Sequence, residues 1–169
     1  MSSAMIDLIL QATLDTLYMV AVSGLISTLV GLPLGVMLYV TRPRQILAKP
    51  VLNQVLSIIT NVGRSIPFII LMVAIIPFTR MLVGTSIGIN AASVPLTIAA
   101  IPFVARLIEA ALNEISPGLI EAAQAMGQST TRILSMHLLP NLRGVVIVYA
   151  TLTIPQVILI ESFISFLGL

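Results

Sequence analysis

The sequence predicts an all-α membrane protein: a polytopic helix bundle of about four transmembrane helices, with a helix-turn-helix in one long loop. Three observations predict it. Of 169 residues, 58% are hydrophobic and only 8% are charged. Mean hydropathy is +1.13, more apolar surface than a soluble domain of this length can bury, so lipid must be the solvent for most of the chain. The few charges also lie between long charge-free runs rather than along them.

The same composition excludes several classes. Net charge is +2, there is no basic stripe, and aromatic residues make up only 5%, so no nucleic-acid partner is expected. No Cys and a single His leave no disulfide, no thiol chemistry and no metal cluster to expect. The first residues carry Asp7 and Asp15 and no Lys or Arg, unlike a cleaved signal peptide. They read as a solvated tail.

Charge-free runs fall at Thr16–Thr41, Ser65–Thr79, Met81–Ala105 and Gly144–Ile160. A bilayer core takes about 20 largely apolar residues. The spans are therefore placed at about 18–40, 58–78, 87–106 and 145–165, with Arg64 near the end of the second, able to snorkel. Arg42, Arg44, Lys49, Arg64, Arg106, Arg132 and Arg143 fall on one side of this arrangement and only Arg80 on the other. The positive-inside rule makes the first side cytoplasmic and puts the N-terminus outside. Arg80 then reads as an outer loop residue.

Span one carries small residues at Gly24, Ser27 or Thr28, Gly31 and Gly35. Such spacing lets two helices approach closely, either between copies or within one chain, and the pattern alone does not choose. Pro33, Pro67, Pro77, Pro95, Pro102 and Pro155 lie in or at the ends of spans. Glu161, near the outer end of span four, is a pathway candidate because an acid in a span is functional by default; the other reading is that, so close to the end, it simply faces water.

The long loop is the most informative segment. Residues 121–140 read EAAQAMGQSTTRILSMHLLP. Ser116 can cap a helix with Pro117 at its first position. Leu119, Ile120, Ala123 and Met126 would form its apolar side. Gly127 is placed to take the left-handed conformation after the last turn. Ser129 or Thr130 can cap a second helix over Thr131 to Leu138, which Pro140 should stop. The residues leave two readings open: a knob that docks in a partner's groove, or an amphipathic hairpin resting on lipid.

Glu121-Ala122-Ala123, then Gly127, then Leu139-Pro140 follow the spacing of the EAA loop of ABC-importer permeases, which this segment resembles. Further stretches, GLPLGVMLYVTRP, RSIPFIILMVAIIPFTR, VGTSIGINAASVPLT and PGLIEAAQAMG, resemble the methionine branch of those permeases from about residue 15 to 132. The last thirty or so residues, HLLPNLRGVVIVYATLTIPQVILIESFISFLGL, are more similar to the dipeptide and oligopeptide branch, as is His137 in place of an apolar residue.

The resemblance implies a transmembrane permease over 1–169, with 116–140 as a cytoplasmic loop coupling it to an ATPase. Glu121, Ala122, Ala123, Gly127, Leu139 and Pro140 would be coupling residues. The implied partners are an ABC ATPase dimer, a second permease subunit in a homodimer, an extracytoplasmic binding protein and the lipid bilayer, in a bacterial inner membrane. The cargo would be methionine or, as the alternative, a peptide. The family has five spans, so its last span is expected to be missing here, and a non-transporting membrane fragment is the alternative of another class.

No enzyme activity is expected in the chain itself. The only lysine, Lys49, precedes Pro50, so there is no phosphate-binding P-loop, and ATP and Mg would bind in the separate ATPase. Gly84-Thr85-Ser86-Ile87-Gly88 matches a serine-nucleophile pattern, but Ser86 and His137 are expected at opposite membrane faces, too far apart for a base to reach a nucleophile.

Overall fold

The computed structural model describes residues 3–144 and, beyond them, 147, 148, 151, 152, 155, 158, 159 and 162. Among these the secondary structure is entirely helical. The first helix, α1, runs unbroken over Ser3–Val40. At 1.5 Å per residue it is about 57 Å long, well beyond a hydrocarbon core of ~30 Å. The expected tail is therefore part of this helix. Asp7 lies on its exposed surface and Asp15 is half-buried. An acid near a helix start does not end the helix when its carboxylate can stay in water.

Hydroxyls along α1 are satisfied within the helix. Thr13 donates to the Ile9 carbonyl at 2.7 Å, Thr16 to Ala12 at 2.9 Å and Ser23 to Met19 at 2.5 Å. Polar side chains can then sit in an apolar medium without unpaired groups.

A turn over 41–49 leads to α2, Pro50–Ser65. The turn is tied back by Asn53, whose Nδ2 donates to the Leu38 carbonyl at 2.5 Å and to Thr41 Oγ1 at 3.1 Å. These bonds also occupy a carbonyl that the end of α1 leaves without a helical partner. The chain then bends by 100° at Ile66–Pro67 into α3, Phe68–Ala74, and Ile75 separates α3 from α4, Ile76–Val83. The expected single span at 58–78 is thus three helices. Pro67 excludes the α conformation from Ile66, which sits at ψ 121°, and Pro77 opens α4. Arg80 belongs to the last turn of α4 rather than to a loop.

α5, Ile89–Asn113, carries Pro95 and Pro102 inside it. It outruns the expected 87–106 span by two turns at its C-terminal end. α5 is the centre of the fold: it packs along α1 and also touches α2, α3 and α4. Within their most apolar windows, 56% of α5 is buried against 28% of α1, which sets α1 at the periphery of the chain. The two helices meet at glycines. A Cβ on Gly31 would fall 2.7 Å from Val104 Cβ, and one on Gly35 would fall 2.6 Å from Ile108 Cβ. Gly31 and Gly35 therefore form a groove within the chain for α5, while Gly24 has open space beside it. Span four falls mostly outside the described residues, as does Glu161.

Candidate functional site

The hairpin at 116–140 is built as local chemistry requires. Ser116 precedes α6, Pro117–Ala125, with Pro117 at its first position. Gly127 has φ 74°. Its N–H donates to the Gln124 carbonyl at 2.9 Å, and the Gln128 N–H donates to the Ala123 carbonyl at 3.1 Å. This pair of bonds is a Schellman motif, and the left-handed residue at its corner is the position glycine fills at least cost. Ser129 then caps α7, Thr130–Ile133, accepting the Arg132 N–H at 3.4 Å. His137 Nε2 lies 3.0 Å from Gln128 Oε1 and ties the second arm back to the turn.

Pro140 does not stop the second arm. A π-helical turn, Leu134–Leu138, and a 3-10 turn, Leu139–Asn141, carry the chain through it. The proline has no N–H for the Met136 carbonyl and its ring crowds that carbonyl. Widening the turn relieves both, and the Leu139 N–H bonds the Leu134 carbonyl, five residues back.

The hairpin is seated by few residues. Ile120, Ala123, Ile133, Leu138 and Leu142 join Tyr39 and Val40 of α1 and Val104, Ile108 and Leu112 of α5 in one buried cluster. Ala123 is 1% exposed, so its methyl contacts the chain's own core. Leu119 and Met126, expected on the apolar side, are 42% and 70% exposed instead. Periodicity failed here because nearly every residue of α6 is apolar or small, so the pattern does not mark a face. Glu121, Ala122, Gln124 and Ala125 are exposed with them. α6 therefore projects from the spans, held by Ile120 and Ala123 alone of its own residues. Leu139 is exposed and Pro140 half-buried. Of the six expected coupling residues, Glu121, Ala122, Gly127 and Leu139 lie on the open surface of this projection.

At its base sits a charge cluster that sequence reasoning missed. The Glu109 carboxylate is 3% exposed and lies between two arginines: Arg42 Nη2 at 2.6 Å and Arg106 Nη1 at 2.5 Å. Arg106 Nη2 also donates to the Ser57 carbonyl at 3.1 Å and to Asn61 Oδ1 at 2.9 Å on α2. Arg42 Nη1 donates to Asn113 Oδ1 at 2.5 Å. The spacing Arg106-x-x-Glu109 was a readable helical pair. Arg42, distant in sequence, was not.

Ser86 and His137 do not meet. Ser86 accepts from Arg80 Nε at 3.2 Å beside the start of α5. His137 lies in the hairpin, next to Leu138, which packs against Val104, Ile108 and Leu112 in the opposite half of α5. No group of His, Cys, Asp and Glu able to hold a metal occurs among the described residues.

A family model described as the binding-protein-dependent transport system inner membrane component matches residues 31–169. The chain belongs to that family. Among curated relatives, it is 48% identical to the probable D-methionine transport system permease protein MetI of Vibrio cholerae serotype O1 over 162 residues, covering 96% of this chain and 72% of the relative. It is 51% identical to the D-methionine transport system permease protein MetI of Escherichia coli K12 over 154 residues, covering 91% of this chain and 71% of that one. An alignment over 96% of the chain necessarily runs into its last thirty residues.

Among solved structures, the native crystal form of the inward-facing MetNI methionine ABC transporter superposes with a TM-score of 0.89 at 50% identity, covering 93% of this chain and 73% of that one. An amino acid ABC transporter crystallised with histidines superposes with a TM-score of 0.69 at 19% identity, which is a likeness of fold alone. This family member is therefore a membrane component of a transport system, and its projecting hairpin is the part of the described fold that lipid-facing helices do not account for.

Proposed function

We propose that the chain is the permease subunit of a bacterial ABC importer for methionine, and that its 116–140 hairpin couples the spans to a separate ATPase. The observation that carries the reading is the projection of α6. Only Ile120 and Ala123 are buried, and Glu121, Ala122, Gln124 and Met126 are offered outward on a rigid helix closed by Gly127. A hairpin resting on anionic lipid would carry several basic residues on its outer side; α6 has none, and Arg132 on the second arm is the hairpin's one arginine. Relatives named for D-methionine transport support the cargo, and the MetNI neighbour supports the assembly.

In this mechanism the hairpin faces the cytoplasm and the N-terminus lies outside, a reading that the distribution of basic residues supports. The ATPase subunits hold ATP and Mg. Closing on ATP, they displace α6. Because Ile120 and Ala123 share one core with Tyr39, Ile108 and Leu112, that displacement reaches α1 and α5 directly. A second copy of the permease completes the pathway, and a binding protein delivers methionine from outside. Access alternates as the two copies rock against each other. The chain supplies the pathway and the lever, and the ATPase supplies the chemistry.

The test is uptake into proteoliposomes that hold this chain, its ATPase and its binding protein. ATP-dependent uptake of labelled methionine in preference to a labelled dipeptide is expected. Preference for the dipeptide would move the cargo to the peptide branch, and a purified chain that retains no ATPase would defeat the coupling role.

A further inference from the structure

The Arg42–Glu109–Arg106 cluster is not absorbed by the hairpin's docking surface or by a lipid-facing role. A carboxylate buried within a span-length helix demands compensation, and here it has two guanidinium groups from different parts of the chain. The geometry is specific. Arg42 reaches in from the turn after α1, Arg106 and Glu109 stand one turn apart on α5, and Arg106 continues to Ser57 and Asn61 on α2. The carboxylate thus holds the turn after α1 directly and, through Arg106, is linked to α2.

The cluster lies at the seat of the hairpin. Ile108, adjacent to Glu109, and Leu112, one turn on, belong to the buried cluster that holds Ile120 and Ala123. Asn113, which receives Arg42 Nη1, is the last residue of α5, and α6 begins at Pro117. A force on α6 enters the spans here. Apolar contacts between α5 and its neighbours could slide, because one methyl group substitutes for another. A buried carboxylate with one oxygen on each of two arginines cannot leave either without exposing an uncompensated charge, and so resists sliding.

We propose that Glu109 is a positioning residue that locks the end of α5 to α1 and α2, so that hairpin motion moves the three helices as one body. The proposal rests on the coupling role given to the hairpin. It concerns the transmission of motion and not the binding of the ATPase or of cargo.

The experiment uses the reconstituted importer and measures methionine taken up per ATP hydrolysed. Glu109→Gln keeps the shape of the side chain and removes its charge. It is expected to retain the ATPase on purification and to keep ATP hydrolysis near wild type, while uptake per ATP falls by about 5-fold or more, the size of an ordinary coupling between sites. Glu109→Asp should recover part of the loss. Because Arg42 and Glu109 act through one contact, Arg42→Gln combined with Glu109→Gln should lower the ratio no further than the worse single variant.

If Glu109→Gln fails to assemble, Arg42→Gln decides, since Arg42 lies at the open side of the cluster with 37% of its side chain exposed. An assembled variant with an unchanged ratio overturns the proposal. So does a parallel fall of hydrolysis and uptake, which marks a merely structural role. A wild-type complex that shows no ATP-dependent uptake would instead overturn the functional reading beneath it.

Discussion

Gly35 lies so close to Ala105 that a Cβ on it would sit 2.5 Å from the Ala105 carbonyl oxygen. The contact is backbone against backbone, so no side-chain rotation can relieve it. With Gly31 against Val104, it sets the distance between α1 and α5 and fixes the hairpin end of the bundle as one packed unit.

Gly35→Ala should therefore destabilise the chain by roughly 1–3 kcal/mol, as overpacking does in other cores. Gly24→Ala, with nothing within 4 Å of the new methyl, should leave stability unchanged. Thermal melting of the detergent-solubilised complex compares the two. Equal melting temperatures would show that α1 and α5 can separate without loss.

At Gly127 the space beside the residue is open and the cost of substitution is conformational. Left-handed geometry costs an ordinary L-residue about 1–2 kcal/mol, less for Asn and more for a β-branched side chain. Transport should fall in the order Gly, Asn, Ala, Val at this position. Uptake by Gly127→Val at the level of Gly127→Asn would contradict the Schellman geometry.

The adjacent alanines should separate by function. Ala123 is in the core and Ala122 is outside it. Ala123→Leu should lower the melting temperature of the permease itself, by a stability change of about 1–3 kcal/mol. Ala122→Leu should leave melting unchanged and weaken retention of the ATPase. The comparison needs a melting curve and a pull-down for each variant, and the opposite assignment would mean that α6 is rotated about its axis.

α2 presents Val51, Val55, Ile58, Ile59 and Val62 outward, all at least 48% exposed, while Ser57 and Asn61 meet Arg106. A continuous apolar outer side fits a helix whose open face meets lipid. Because the chain has no cysteine, single cysteines at Val55, Ile58 and Val62 can be probed cleanly. In the membrane they should resist a water-soluble maleimide that labels a cysteine at Glu121, and rapid labelling of all four would put α2 in water.

What the sequence disclosed was local. Ser116-Pro117, Gly127 and Ser129 are signals whose chemistry acts within a few residues, and the hairpin follows them. The 100° bend at Ile66–Pro67 was signalled by its proline, but a hydropathy count cannot tell a tolerated kink from a break. The exposure of Leu119 and Met126 was hidden because apolar residues surround α6 on every side. Glu109 was hidden because its partner Arg42 comes from a different helix-to-helix turn, and only the approach of α1 to α5 at Gly31 and Gly35 brings the two together.

The claim that the outer side of α6 docks on a separate ATPase is tested most directly by cross-linking. A cysteine at Ala122 and, as a control beyond the far end of α5, one at Thr85 would each be coupled to a short bifunctional reagent in the assembled importer. The account predicts a covalent product with the ATPase subunit from Ala122 and none from Thr85. An Ala122 cysteine that is freely labelled in the complex, yet never cross-links to the ATPase, would contradict it.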